Sequence, residues 1–86
     1  MTDDVVNGLR EEISAIDREL IALVNRRIDT VARLKRHKAE HGIAFVDPDR
    51  EAQLIADRVR ENDGPLSDEG LRAFYTELLA LIKREV

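Results

Sequence analysis

LREEISAIDRELIALVNRRIDTVARLKRHK, residues 9–38, is a run of thirty residues with no proline and no glycine. Apolar side chains recur at Leu9, Ile13, Ile16, Leu20 and Leu23, then at Val31 and Leu34. The steps are mostly threes and fours, which marks one face of a helix. Upstream, Asp3 and Asp4 sit where a helix start favours acid. Downstream, Gly42 is a suitable helix stop. The stretch therefore predicts a single long helix from about residue 5 to residue 41.

Two shorter helices follow. Asp47 is a suitable N-cap and Pro48 fits a first helical position, so the second is expected over residues 48–62. Its apolar face carries Leu54, Ile55 and Val59. Asn62-Asp63-Gly64-Pro65 breaks the chain. Ser67 caps the third, expected over residues 67–86, with Asp68 and Glu69 in its first turn. Leu71, Phe74, Leu78 and Leu81 form its stripe, widened by Tyr75, Leu79 and Ile82.

Composition agrees with an all-α reading. Of the 86 residues 37% are charged and 3% aromatic, with four Gly, two Pro and no Trp, which favours solvated helices over sheets. One domain, residues 1–86, is the natural count. The absence of Cys excludes disulfides and thiolate metal sites. The opening MTDDVVNG lacks the basic start and apolar run of a signal peptide, so a cytoplasmic protein is expected. No apolar stretch approaches the roughly 20 residues that span a bilayer. A formal charge of −4 argues against nucleic acid as the main partner.

Length adds a constraint. A helix of about 37 residues is roughly 55 Å long at about 1.5 Å per residue. A compact domain of this size has a radius of gyration near 12 Å by the usual scaling, roughly 2.2·N^0.38. The long helix overshoots what two short partners can cover. A homodimer in which two long helices pair, completed by the shorter ones, is the economical solution.

The long stripe is interrupted twice. Leu20 and Leu23 lead at the next step of four to Arg27, and Val31 and Leu34 lead likewise to Lys38. Both cations fall on the face that should be buried, and a buried charge needs an anion close by. They lie about 16 Å apart along the axis, within reach of a small polyanion between them. The alternative is that both snorkel from the stripe edge or pair with a carboxylate on a neighbouring helix. Asp47, Arg50 and Glu51 form a second cluster at the start of the second helix. Glu51 continues the line of Leu54, Ile55 and Arg58 and can face inward; dipole preference for acids accounts for Asp47 outright. The run from Arg33 to Lys38 is basic but carries no aromatic residues to stack bases. Neither His37 nor His41 has a spaced partner that would hold a metal, and there is no Gly-rich phosphate loop.

These elements together resemble the small all-helical chorismate mutases. The resemblance rests on Leu9 to Asp17, Leu20, Leu23, Arg26-Arg27, Lys38 and Val46-Asp47-Pro48-Asp49-Arg50-Glu51, and spans nearly the whole chain from Leu9. It implies an intertwined homodimeric helical bundle with two sites, each built from both chains. It implies an isomerase that rearranges chorismate to prephenate in the shikimate pathway, for aromatic amino-acid biosynthesis. Arg10 would reach a substrate carboxylate in the other subunit's site. Arg27 would bind a carboxylate within its own subunit. Lys38 would contact a carboxylate and the ether oxygen. Glu51 would accept a hydrogen bond from the ring hydroxyl, aided by the backbone at Asp47, and Arg50 would line the pocket. No metal and no cofactor is implied; a partner synthase of the same pathway is possible for such small mutases.

The third helix departs from the family pattern. A Gln or Glu that donates to the ether oxygen is usual there, four residues after a Ser. Matching Phe74 to the family's aromatic puts Leu81 at the Ser position and Glu85 at the Gln position. Sliding by one puts Ile82 and Val86 there. The stripe steps on to Glu85, which favours the first register. Glu85 would have to be protonated to donate, so activity would fall as pH rises. Relatives of the fold act on isochorismate as pyruvate lyases or on 4-amino-4-deoxychorismate as mutases, and an amino group would pair well with Glu51. A non-catalytic dimerisation or regulatory module is the alternative of a different class.

Overall fold

The structure is a computed structural model describing residues 3–86. Asp3 opens the first helix by accepting the N–H groups of Val5 and Val6 at 3.0 and 3.1 Å. This satisfies donors that have no partner inside the helix. α1 (Asp4–Glu40) then runs 37 residues. Gly42 stops it at φ 65°, a left-handed conformation that glycine adopts without penalty. Ile43 N–H donates to the Lys38 carbonyl at 2.8 Å and Gly42 N–H to the Ala39 carbonyl at 3.5 Å, a Schellman closure. The reversal brings residue 45 back against the end of α1, where Lys38 Nζ donates to the Phe45 carbonyl at 3.3 Å.

α2 (Pro48–Glu61) begins with Asp47 accepting the Arg50 N–H at 3.1 Å and with proline in its first turn. Its end is held by Asn62, whose side chain donates to the Leu66 carbonyl at 2.7 Å and accepts the Gly64 N–H at 3.1 Å. α3 (Asp68–Glu85) is capped by Ser67, which accepts the Gly70 N–H at 3.0 Å. All regular structure among the described residues is helical. No helix among them is long and apolar enough to cross a membrane.

α3 packs on both other helices, whereas α1 and α2 make no backbone-to-backbone approach. The buried core is correspondingly small: Leu71, Leu78 and Ile82, all from α3. Phe74, read from the sequence as part of that stripe, is 47% exposed instead. It borders an open, mainly apolar groove between α1 and α3, with Leu20, Val24 and Leu81 on the other sides.

No residue of the long helix is fully buried in a single chain. Leu9, Ile13, Ile16, Leu20 and Leu23 each leave about half of their surface in water, at 48–57%. The radius of gyration is 17.0 Å, well above the roughly 12 Å of a compact chain of this length. The surface is 6938 Å², against about 5,200 Å² expected for a folded monomer of this mass. The apolar stripe along α1 is part of that excess.

Candidate active site

α1 and α2 face each other across an open cleft of about 180 Å³, lined also by α3. From α1 come Arg27, Val31, Leu34 and Lys38, spaced four, three and four, so one helix face supplies that wall. The returning loop adds Phe45, Val46 and Asp47. α2 contributes Arg50, Glu51 and Leu54, and α3 contributes Leu79, Ile82 and Lys83. The lining is largely apolar, with four cations against two acids, a formal surplus of two positive charges.

The cations are not equivalent. The ion pairs among the described residues are Arg58–Glu61, Arg60–Asp57 and Lys83–Glu51. Arg27 and Lys38 take part in none of them. Both are half-buried. Pairing with a carboxylate on a neighbouring helix, one of the alternatives left open by the sequence, is therefore not seen among the described residues of the single chain. Lys38 spends one donor on the Phe45 carbonyl and keeps two. Arg27 has no hydrogen-bond partner among the described residues, so its planar fork is free for a bidentate anion. The Asp47 carboxylate is occupied by its cap. Glu51 is engaged by Lys83, with Nζ 2.9 Å from Oε1 and 3.2 Å from Oε2.

Of the residues singled out in the sequence, Arg27, Lys38, Asp47, Arg50 and Glu51 meet at this cleft. Arg10 does not. It is exposed on a separate shallow surface with Asn7, Glu11, Ser14 and Arg18. Seventeen residues of helix separate it from Arg27, about 25 Å along the axis. Glu85 is not brought to the cleft either; it is exposed at the end of α3. The cleft-facing line of that helix is Leu79, Ile82 and Lys83, whose next step is Val86. Glu85 turns away from it at about 100° per residue. Lys83 is the cleft residue that sequence reasoning passed over. A cation in a last helical turn is what the helix dipole favours anyway. The available signal was its i+4 spacing from Leu79.

The profile of the chorismate mutase type II family matches residues 9–85. The chain belongs to that family. The span matched in this chorismate mutase type II chain includes all the cleft residues and Arg10. Among its relatives is the T-protein of Haemophilus influenzae, 32% identical over 82 residues, which are 90% of this chain but 22% of that protein. The chain thus spans about a fifth of the T-protein's length. The 4-amino-4-deoxychorismate mutase of Streptomyces venezuelae is 35% identical over 79 residues, 91% of this chain and 73% of that one. The fold of the chain matches a solved chorismate mutase from Thermus thermophilus with a TM-score of 0.89 at 30% identity, over 92% of this chain and 99% of the other.

Proposed function

We propose that this protein rearranges chorismate to prephenate in a cleft completed by a second copy of the chain. The observation that carries the reading is Arg27 and Lys38: two half-buried cations on one apolar helix face, neither with a carboxylate partner among the described residues. Half-buried unpaired cations are costly unless a ligand compensates them. The formal surplus of two positive charges around the cleft matches a small dianion.

The chemistry suits these residues. In the rearrangement the ether C–O bond breaks as a new C–C bond forms within one molecule. No proton is exchanged and no group leaves. The protein has to hold the compact conformer and stabilise the charge that develops as the ether bond opens. Arg27 binds a carboxylate through its fork. Lys38 lies on the same wall, about three helical turns farther along α1, where its remaining donors reach a carboxylate and the ether oxygen. Stabilisation of that oxygen grows toward the transition state and so raises the rate. Glu51 and the backbone at Asp47 take the ring hydroxyl, and Arg50 lines the wall. Glu85, exposed and off the cleft line, is left outside this set.

Three features support the second copy. The α1 stripe is half in water. The surface excess is large, roughly 1,700 Å² over the monomer expectation. The cleft of about 180 Å³ is smaller and more open than the roughly 300–1,000 Å³ of enclosed ligand sites. Arg10 of the partner subunit would close that open side, since Arg10 cannot reach the cleft of its own chain.

A second reading, the same rearrangement on 4-amino-4-deoxychorismate, is favoured by the Streptomyces venezuelae relative. Ligand-dependent stability separates an enzyme from a mere dimerisation module. A non-reactive cyclic dicarboxylate shaped like chorismate, at 100 times its dissociation constant, is expected to add about 2.7 kcal/mol to the unfolding free energy. Differential scanning calorimetry reads this as a rise in Tm. No rise at any concentration would favour the module.

A further inference from the structure

Lys83 stands inside the cleft and holds the one carboxylate there that no cap occupies. Its Nζ touches both Glu51 oxygens, at 2.9 and 3.2 Å, from the last turn of α3 to the first turn of α2. The side chains are 36% and 31% exposed, so their charges are only partly screened by water. The other charged groups facing the cleft are Arg27, Lys38, Asp47 and Arg50. A ring substituent that approaches Glu51 therefore meets an ammonium as well as a carboxylate.

A hydroxyl suits that pair, because it donates to Glu51 and accepts from Lys83. A protonated amine does not. It offers donors alone, has no lone pair for Lys83, and brings a like charge beside the Lys83 ammonium. We propose that Lys83 is a specificity-determining residue: it makes the Glu51 wall select a substrate ring bearing a hydroxyl over one bearing an ammonium. The inference rests on reading the cleft as a chorismate-type site. It sets this chain apart from its relative that acts on the amino compound, although both ring types carry the same two carboxylates.

The test compares kcat/KM for chorismate and for 4-amino-4-deoxychorismate in the full-length protein, in Lys83→Met and in Lys83→Arg. The parent is expected to favour chorismate. Lys83→Met is expected to shift the ratio toward the amine by about tenfold, equivalent to about 1.4 kcal/mol. Lys83→Arg, which keeps the charge beside Glu51, is expected to hold the parental ratio. A mere tether between α2 and α3 behaves differently: its loss lowers Tm and both rates together, and an unchanged ratio in Lys83→Met overturns the proposal. A parent that prefers the amine overturns it as well. Should Lys83→Met fail to fold, Lys83→Gln gives the same readout. If the parent converts neither compound, the catalytic reading falls, and calorimetric binding of the two dicarboxylates then measures the same ratio. A tenfold shift there still supports the selectivity role. Equal affinities in parent and variant, or no binding of either compound, overturn it.

Discussion

Arg27→Ala is expected to lower kcat/KM for chorismate by about 10²–10³-fold, the scale seen when one well-placed donor to a developing charge is removed. The variant should keep its helices, its oligomeric state and a Tm at or slightly above that of the parent. Both halves of the result follow from the same fact. Arg27 sits in an apolar wall without an ion-pair or hydrogen-bond partner among the described residues, so the folded protein loses no internal polar contact when it goes. Removing a half-buried unpaired charge relieves a cost instead of creating one. Circular dichroism, sedimentation and a chorismate assay on one preparation check it. A variant that unfolds would make Arg27 a structural residue. One that stays fully active would remove it from the site.

Ile16→Glu carries the second large effect. Ile16 is 55% exposed in a single chain, where a glutamate would be harmless or better. In a dimer that pairs the two α1 stripes it is buried twice, once per subunit. An unpaired carboxylate forced into an apolar interface costs several kcal/mol. The dimer dissociation constant is therefore expected to rise by at least about 10³-fold, some 4 kcal/mol. Helix content and activity should fall with it, because the separated chain leaves Leu9 to Leu23 wet and loses Arg10 of the partner subunit. Analytical ultracentrifugation at micromolar concentration reads the change, with Ile16→Leu as the control that stays dimeric. An Ile16→Glu protein with the parental mass and stability would show that the stripe is covered by something other than its own copy.

How much could be read in advance differs from element to element. The caps were legible because each is a local event: Asp3, Asp47 and Ser67 hydrogen-bond within two or three residues of themselves, and Gly42 supplies its own positive φ. Arg27 and Lys38 were legible because a charge on an apolar stripe is conspicuous at helical spacing. Glu51 followed from its line with Leu54. The rotation of α3 was harder. Leu71, Phe74, Leu78 and Leu81 make a clean stripe, yet it is Leu71, Leu78 and Ile82 that the single chain buries. An apolar band this wide serves two neighbours at once, and its pattern does not say which side meets the cleft. The apolar stripe steps on to Glu85, whereas the line that faces the cleft runs through Lys83, two residues away. The Lys83–Glu51 contact spans thirty-two positions, and nothing local to either residue announces it.

The identity of the product formed from chorismate tests the central claim most directly. The purified protein is incubated with chorismate, and the mixture is followed by proton NMR against the slow uncatalysed background. Prephenate should appear as the sole product, at a rate proportional to protein and far above background, and Arg27→Ala should return the rate toward background. A folded, dimeric protein that leaves chorismate unchanged, or releases pyruvate from it, would contradict the assignment.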